Sequence, residues 1–394
     1  MLQRQKWIIL PAVVALLLLA WFQTTGRRGT GPRPSSEDNA MGQTLTDLAN
    51  RPVKITRDAR RIVLIRGRDI YELAALLGDD LPKRLVAIGA DLRRFDRDGY
   101  EAFIAKYPSL ASLPEAGDIF KDAVNPEQIV NLHPDLVLAD KFMVERGYKC
   151  LAQIEAAGLP LLCMDLSDDP FSGPQRSLLL LGKVLGKDAQ KRAQAIVSDI
   201  DQRLATVMAR IEALPSPGPS VYLEASGTPT QFGVSYGAEG NPRRYSGWGA
   251  ILHRLRVQNI ADGIVGDMGK LHPEFILKAD PQIIVITGQS WEDPGTLHLG
   301  YGATAAPGLQ KLGQIQTRPG WSNLRAYREQ KVFGIYHNFS MHFFGFVCIE
   351  ALAKDFYPAA FQDLHPEADF KAFHDQYMPI PLRGVWMLPT ENQN

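Results

Sequence analysis

Arginine, aromatic and histidine side chains follow several short apolar runs of the sequence. The run RIVLI is followed by Arg66 and Arg68, and the run KVFGI is followed by Tyr336 and His337. Ligands of open parallel sheets bind beyond the carboxyl ends of the strands, so we expect these side chains to meet in one crevice. Guanidinium groups hydrogen-bond ligand oxygens, and aromatic faces bury apolar ligand parts. The candidate ligand contacts are Arg66, Arg68, Asp91, Lys141, Tyr236, Arg243, Arg244, Trp248, Trp291, Tyr336 and His337.

A glycine-rich stretch, GVSYGAEGNPRRYSGWG, contributes several of these candidates. Its content of Gly, Asn and Pro favours a loop over a helix. The loop carries Tyr236, Arg243, Arg244 and Trp248, a combination that suits an anionic ligand with conjugated parts. The alternative interpretation is a solvated surface charge for each arginine and packing inside a lobe for the tryptophan.

Direct binding of a metal ion is an alternative use of the same region. His337 and His342 lie close together in YHNFSMH, and Tyr336 or Asp91 could complete a set of nitrogen and oxygen ligands. The two histidines do not have the i,i+4 spacing of a helical HExxH site. We therefore predict no dedicated protein-metal site, and a free metal ion stays an alternative ligand.

Motifs of catalysis are missing from the sequence. It contains no GxSxG, no GxxxxGK[ST] and no HExxH, and RGRD stands where a dinucleotide-binding GxGxxG would follow the RIVLI strand. The sequence therefore predicts a binding protein with no catalytic residues and no cofactor. An exported α/β enzyme is the alternative.

Length, charge and cysteine content narrow the class of protein. A chain of 394 residues predicts two domains. With 43 Lys plus Arg against 43 Asp plus Glu, the formal net charge is zero, so no overall basic field favours nucleic acid. Three cysteines without a CxxC motif argue against a thiolate metal site. Buried free thiols and one bridge between Cys150 and Cys163 are the two interpretations.

Apolar runs of strand length alternate with amphipathic segments through both halves of the chain. The runs RIVLI, RLVAIGAD, HPDLVLADK and GLPLLCMDL predict strands in the first half, and PSVYLEAS, PQIIVITGQS and KVFGIYHN do so in the second. Between the halves, Asp188–Leu214 has apolar residues at a 3.6-residue period and predicts a helix about 40 Å long. The predicted fold class is α/β, with two Rossmann-like lobes of parallel sheet joined by one long backbone helix.

A repeat relates the two halves. The stretch NPEQIVNLHPDLVLA, which begins at Asn125, aligns with HPEFILKADPQIIVI, which begins at His272. In each copy a proline suits the first helical turn and a second proline ends the helix before a strand. Glu127 and Glu274 occupy equivalent positions near the positive helix start, where a purely structural dipole role is the alternative interpretation.

The amino terminus predicts export. Arg4 and Lys6 precede the apolar run IILPAVVALLLLAWF, which fits either a cleaved signal peptide or an uncleaved membrane anchor. The following Gly-, Pro- and Ser-rich stretch suits a flexible tether. Under both interpretations the folded body lies in the periplasm or on the outer face of the cytoplasmic membrane.

These motifs, taken in order, resemble one family. The segments are RIVLIRGRDIYELAALLG, NPEQIVNLHPDLVLAD, HPEFILKADPQIIVITG and RPGWSNLRAYREQKVFGIYHN. They look like class III ABC-importer substrate-binding proteins, which carry ferric siderophores, haem and vitamin B12, and the similarity spans roughly residues 55–357. The resemblance implies two lobes on a rigid helix with the ligand clamped between them. It also implies that Glu127 and Glu274 dock onto arginines of the permease.

The resulting expectation is a monomeric, extracytoplasmic solute-binding component of an ABC importer. It would capture an iron complex of the ferric siderophore type and deliver it to a permease dimer with its ATPase. A corrinoid, haem, a molybdate-type oxyanion and a free metal ion are the alternative ligands. The expected segments are a signal or anchor (1–26), a linker (27–54), an N-terminal lobe (55–172), an interlobe helix (173–214), a C-terminal lobe (215–357) and a helical and extended tail (358–394).

Overall fold

The computed structural model describes residues 42–389. The predicted signal or anchor, the first part of the predicted linker and the last five residues lie outside this range. No helix within it combines the length and the apolar character that crossing a membrane requires.

Eleven strands lie within the described range. They are β1 (Gln43–Thr46), β2 (Pro52–Ile55), β3 (Ile62–Leu64), β4 (Leu85–Ile88), β5 (Leu136–Asp140), β6 (Leu161–Met164), β7 (Ser220–Ala225), β8 (Gln258–Asn259), β9 (Ile283–Gly288), β10 (Val332–Tyr336) and β11 (Met387–Leu388).

Sixteen α-helices lie within residues 42–389 and connect or flank these strands. They are α1 (Ile70–Leu77), α2 (Leu81–Arg84), α3 (Asp91–Phe95), α4 (Arg97–Lys106), α5 (Pro126–Asn131), α6 (Lys141–Glu145), α7 (Lys149–Ala156), α8 (Gly173–Leu185), α9 (Lys187–Ala213), α10 (Gly247–Arg254), α11 (Pro273–Ala279), α12 (Ala305–Ile315), α13 (Arg325–Arg328), α14 (Phe346–Phe356), α15 (Pro358–Phe361) and α16 (Pro366–Tyr377).

Two sheets form the centres of two lobes. In the N-terminal lobe the strand order is β4-β3-β5-β6 and all neighbours are parallel. In the C-terminal lobe the order is β11-β10-β9-β7-β8, with only β11 antiparallel. Every residue of β5 and of β9 is buried, as expected of strands covered by helices on both faces. The predicted fold class is confirmed.

The predicted long helix is α9, which runs from Lys187 to Ala213 and spans about 40 Å at 1.5 Å per residue. Its apolar stripe, which includes Ile196, Ile200 and Val207, is buried. The helix packs against α1 of the N-terminal lobe and against α14 of the C-terminal lobe. The segment 173–214 contains a second helix, α8, which ends at Leu185, just before Gly186, and packs alongside α9.

The repeated sequence unit forms the same local structure in both lobes. Asn125 caps α5 by accepting a hydrogen bond from the Gln128 amide (3.1 Å), and His272 caps α11 by accepting one from the Glu274 amide (3.3 Å). The strands β5 and β9 each begin ten residues after the first residue of the preceding helix. The unit therefore places Glu127 and Glu274 alike.

The C-terminal tail extends the second sheet. Its strand β11 pairs with β10, and Trp386 packs on Tyr336 with ring centroids 4.5 Å apart. All three cysteines are buried and free, so the interpretation as free thiols is confirmed and the bridge between Cys150 and Cys163 is wrong.

Candidate functional site: the cleft between the lobes

A cleft of about 340 Å³ lies between the two lobes and is lined by residues from both. Its walls come from segments that follow the strands β3, β5, β9 and β10 and from the loop before α10. Seven predicted contacts line it: Arg66, Arg68, Tyr236, Arg244, Trp248, Trp291 and His337. The volume falls within the range that small-molecule ligands occupy in proteins.

Four predicted contacts lie outside the lining. Asp91 is buried behind the cleft, where it accepts hydrogen bonds from the Gly67 amide (2.6 Å) and from Nε of Arg68 (3.0 Å). Tyr336 is buried among the aromatic rings that surround Trp386. Lys141 donates to Asp168 (2.6 Å), and Arg243 is exposed. We therefore leave these four residues out of the proposed contact set.

Arg66 is held at the base of the cleft by two carboxylates. Its Nε donates to Asp69 (2.5 Å) and its Nη1 donates to Asp140 (2.8 Å), and all three side chains are buried. Burial lowers the pKa of Arg66, but the negative charges of Asp69 and Asp140 outweigh it and raise the pKa overall. The guanidinium is fixed in place and its charge is already compensated.

Arg68 connects the two lobes across the base of the cleft. Its Nε donates to Asp91 and its Nη1 donates to Oδ1 of Asn338, which follows β10 (2.9 Å). The rings of Phe95 and Phe120 lie against the guanidinium, each centroid 5.6 Å away. Arg68 is therefore a structural tie between the lobes and a part of the cleft wall.

His337 lies in the cleft among three aromatic rings. Its Nδ1 is hydrogen-bonded to Oγ1 of Thr287 (2.8 Å), and the centroids of Tyr236, Trp248 and Trp291 lie 6.1, 6.1 and 5.2 Å from its ring. Burial, followed by the positive charge of Arg68, lowers the pKa of His337 to about 3. The imidazole is thus neutral at physiological pH.

The second histidine of YHNFSMH is in a different environment. His342 is buried, and its Nδ1 lies 3.1 Å from Oε1 of Glu72, which also accepts a hydrogen bond from the Phe343 amide (3.2 Å). Burial raises the pKa of Glu72 to about 8 and lowers that of His342 well below its usual value. His337 and His342 therefore do not share a metal site. Between residues 42 and 389, no group of three or more His, Cys, Asp or Glu side chains is placed to hold a metal ion.

Ion pairs across the rim connect the lobes a second time. Arg244 of the C-terminal lobe donates to both carboxylate oxygens of Asp168 (2.8 and 2.9 Å) and also approaches Glu145 (3.4 Å). Burial raises the pKa of Asp168, but hydrogen bonds from Lys141 and Arg244 bring it below its usual value overall. The rim carboxylate is ionised and its charge is shared by two cations.

Several lining residues were not among the predicted contacts. Gln289 comes directly after β9, so the strand-end rule could have identified it. Phe95 ends helix α3 and Phe120 belongs to a short 3₁₀ turn, so no strand-end pattern marks either. The remaining unpredicted residues include Arg146, Met268 and Met341.

Glu127 and Glu274 lie away from the cleft lining, near the starts of α5 and α11. Both side chains are exposed, and neither forms an ion pair with another residue in the described range. The two carboxylates are therefore accessible to a partner protein.

Comparisons with known proteins agree with this architecture. Residues 80–337 match the family described as periplasmic binding protein. The TroA-like periplasmic binding protein FepB from Veillonella parvula is 30% identical, with a TM-score of 0.81 over 88% of this chain and 99% of that one. The molybdate binding protein MolA of Haemophilus influenzae is 15% identical, with a TM-score of 0.64 over 87% of this chain and 99% of that one, and shows the fold alone.

A curated relative points the same way. The uncharacterised ABC transporter substrate-binding lipoprotein YvrC of Bacillus subtilis is 23% identical over 294 residues, which cover 74% of this chain and 77% of the relative. The chain belongs to the periplasmic binding protein family, among the substrate-binding proteins that serve ABC importers.

Proposed function

We propose that this protein binds an iron chelate of the siderophore type between its lobes, outside the cytoplasm, and delivers it without chemical change to an ABC permease and its ATPase. The observation that carries the proposal is the interlobe cleft, whose wall combines aromatic rings with immobilised arginines. A coordinately saturated chelate needs such a wall rather than protein ligands to its metal.

Two alternative ligands fit the cleft less well. A bare metal ion needs several converging ligands, whereas His337, His342 and Asp91 each have a different partner. A tetrahedral oxyanion such as molybdate, the ligand of MolA, is far smaller than a cleft of about 340 Å³ with apolar walls. These features favour a larger ligand with both polar and apolar parts.

Haem is the second candidate, and His337 is the observation that favours it. Thr287 occupies Nδ1 of this neutral imidazole, which leaves Nε2 as the ring nitrogen for a metal that has an open coordination position. A corrinoid could use the same nitrogen. Either ligand would use His337 as a metal ligand, whereas an iron siderophore would not.

Ligand titration of the purified full-length chain tests the proposal. Trp248 and Trp291 line the cleft, so a bound iron(III) trihydroxamate is expected to quench tryptophan fluorescence and to raise the melting temperature. Haem, cyanocobalamin and molybdate are titrated in parallel, and native mass spectrometry of protein from its own host identifies any co-purified ligand. Binding of haem, cobalamin or molybdate alone, with no response to iron chelates, would contradict the proposal.

A further inference from the structure

Three of the four arginines that line the cleft are already neutralised. Arg66 is paired with Asp69 and Asp140, Arg68 with Asp91, and Arg244 with Asp168, all at 3.0 Å or less. A cation whose charge is compensated at contact distance exerts little net field on a ligand a few ångströms further away. These guanidinium groups are therefore poorly suited to attract a strongly negative ligand.

Carboxylates also line the cleft itself. Glu145, Asp168 and Asp267 are part of its wall. Arg146 is the one lining arginine that has no carboxylate partner within residues 42–389, and it is exposed at the rim beside the ring of Phe142. Glu145 and Asp168 are already paired with Lys141 and Arg244, so the unpaired lining charges among the described residues are one carboxylate, Asp267, and one guanidinium, Arg146. A ligand with several negative charges would therefore meet no excess of positive charge in the lining.

The deeper wall offers uncharged hydrogen-bonding groups. Nε1 of Trp248 and Oε1 of Gln289 are buried and have no hydrogen-bond partner among the described residues, and both side chains line the cleft. A buried polar group without a partner is destabilising, so a ligand that supplies the partner recovers this cost. His337, which also lines the cleft, is a further polar side chain without charge at physiological pH.

The mouth of the cleft is apolar on both sides. Phe120 from the N-terminal lobe and Met268 from the C-terminal lobe line it with 49% and 61% of their surface exposed. They are two of the three large apolar side chains that are strongly exposed in the described range. Exposed apolar side chains around a cleft are typical of a ligand-binding surface.

We infer that the cargo is an iron chelate of charge zero or minus one, with uncharged polar groups that bind Trp248 and Gln289 and an apolar flank that contacts Phe120 and Met268. The inference rests on the proposed iron-chelate function and narrows its substrate class. It differs from the expectation, drawn from residue types alone, that the arginines bind an anionic chelate.

Two iron(III) chelates, one neutral and one strongly negative, test which ligand charge the cleft prefers. The full-length chain is titrated by tryptophan fluorescence with a neutral trihydroxamate complex and with a trianionic triscatecholate complex. We expect the neutral complex to bind at least about tenfold more tightly, with little change between low and high salt. Equal or tighter binding of the trianion would overturn the charge inference and leave the iron-chelate function intact. If haem or cobalamin binds and neither iron complex does, the proposed function and the inference both fail.

An Asp168→Asn variant tests the same point from the protein side. It releases Arg244 and Lys141 from their shared carboxylate, so affinity for the trianion should rise about fivefold while that for the neutral complex stays within about twofold. Asp363→Asn, at an exposed pair with Arg210 outside the cleft lining, is the matched control and should change neither affinity. An unchanged affinity of Asp168→Asn for the trianion contradicts the inference.

The apolar flank is tested separately. The double variant Phe120→Ala with Met268→Ala should weaken the neutral complex about tenfold, because both side chains are exposed and their loss removes ligand contacts without opening a core. Ile264→Ala, at the third strongly exposed apolar side chain and outside the cleft lining, is the control. Unchanged affinity in the double variant overturns the apolar part of the inference.

Discussion

His337 is a residue whose protonation is set by burial more than by the chemistry of imidazole. Burial and the nearby charge of Arg68 lower its pKa from 6.5 to about 3. Between these two pH values the His337 imidazole binds a proton in the unfolded chain but not in the folded chain. The free energy of unfolding therefore falls as the pH drops through this window. The stabilising contribution of neutral His337 is fully present above pH 6.5.

A His337→Asn variant is expected to lose stability less steeply in acid than the wild type. Between the two pKa values of His337, this side chain changes the free energy of unfolding by up to about 1.4 kcal/mol per pH unit. Asparagine does not titrate in this pH range. His342 and His374 are also buried and have lowered pKa values. Because both proteins contain them, their contributions cancel when the pH dependence of the variant is compared with that of the wild type.

Melting temperatures between about pH 6.5 and pH 4 measure the effect. His365→Asn, at an exposed histidine, is the control and should keep the wild-type slope. Parallel curves for wild type and His337→Asn would show that His337 titrates normally in the folded state.

At the scale of elements, Gly186 decides how the interlobe segment is divided. The residue has φ 111° and ψ 172°, a conformation that is essentially restricted to glycine, and it separates α8 from α9. A Cβ at this position would lie 2.6 Å from Oδ2 of Asp58. The chain can therefore reverse between two packed helices only because this residue lacks a side chain.

Gly186→Ala is expected to lower the free energy of unfolding by about 1–3 kcal/mol, since it adds both the backbone strain and the contact with Asp58. Gly313→Ala is the matched control in α12, where the new Cβ would have no atom within 4 Å other than those of its chain neighbours and of the helix's own backbone. That change should stabilise the chain by about 0.5–1 kcal/mol through a better helix propensity. Chemical denaturation distinguishes the two, and the same sign for both would contradict the role assigned to Gly186.

At the scale of the whole molecule, the lobes are tied together at two levels. Below the cleft, Arg68 binds Asn338 and Glu72 accepts a hydrogen bond from Phe343, all in buried positions. At the rim, Arg244 pairs with Asp168. Since breaking buried polar contacts is costly, we expect these ties and α9 to permit only a small closure around the ligand.

Reversal of charge at both proposed docking sites should separate binding from delivery. The double variant Glu127→Arg with Glu274→Arg is expected to keep chelate affinity, because neither residue lines the cleft, and to abolish uptake through the cognate permease. Fluorescence titration measures the first property, and iron uptake by cells or by proteoliposomes measures the second.

The matched control reverses two exposed glutamates, Glu101 and Glu212, that lie elsewhere on the surface. It should keep both binding and uptake. Weakened chelate binding in the Glu127 and Glu274 variant, or normal uptake by it, would contradict the docking role.

The architecture was predictable because its signals are local. Strand runs such as RIVLI and the 3.6-residue apolar period of Asp188–Leu214 can be recognised within about 5 to 30 neighbouring residues, and both correspond to elements of the structure. The repeat also survives as matched helix and strand units around Glu127 and Glu274. The break at Gly186 was not predicted, because a glycine between two helical patterns does not reveal its φ angle.

The character of the cleft depends on contacts between residues that are distant in the chain. Arg66 and Arg68 line the cleft, but their partners come from a strand (Asp140), from a helix (Asp91) and from the other lobe (Asn338). The electrostatic potential felt by a ligand depends on distances between all these charges, and packing of the two lobes is what sets those distances. Periodicity in the sequence specifies the elements, whereas the pairing of charges across the assembled lobes determines which ligand the elements can hold.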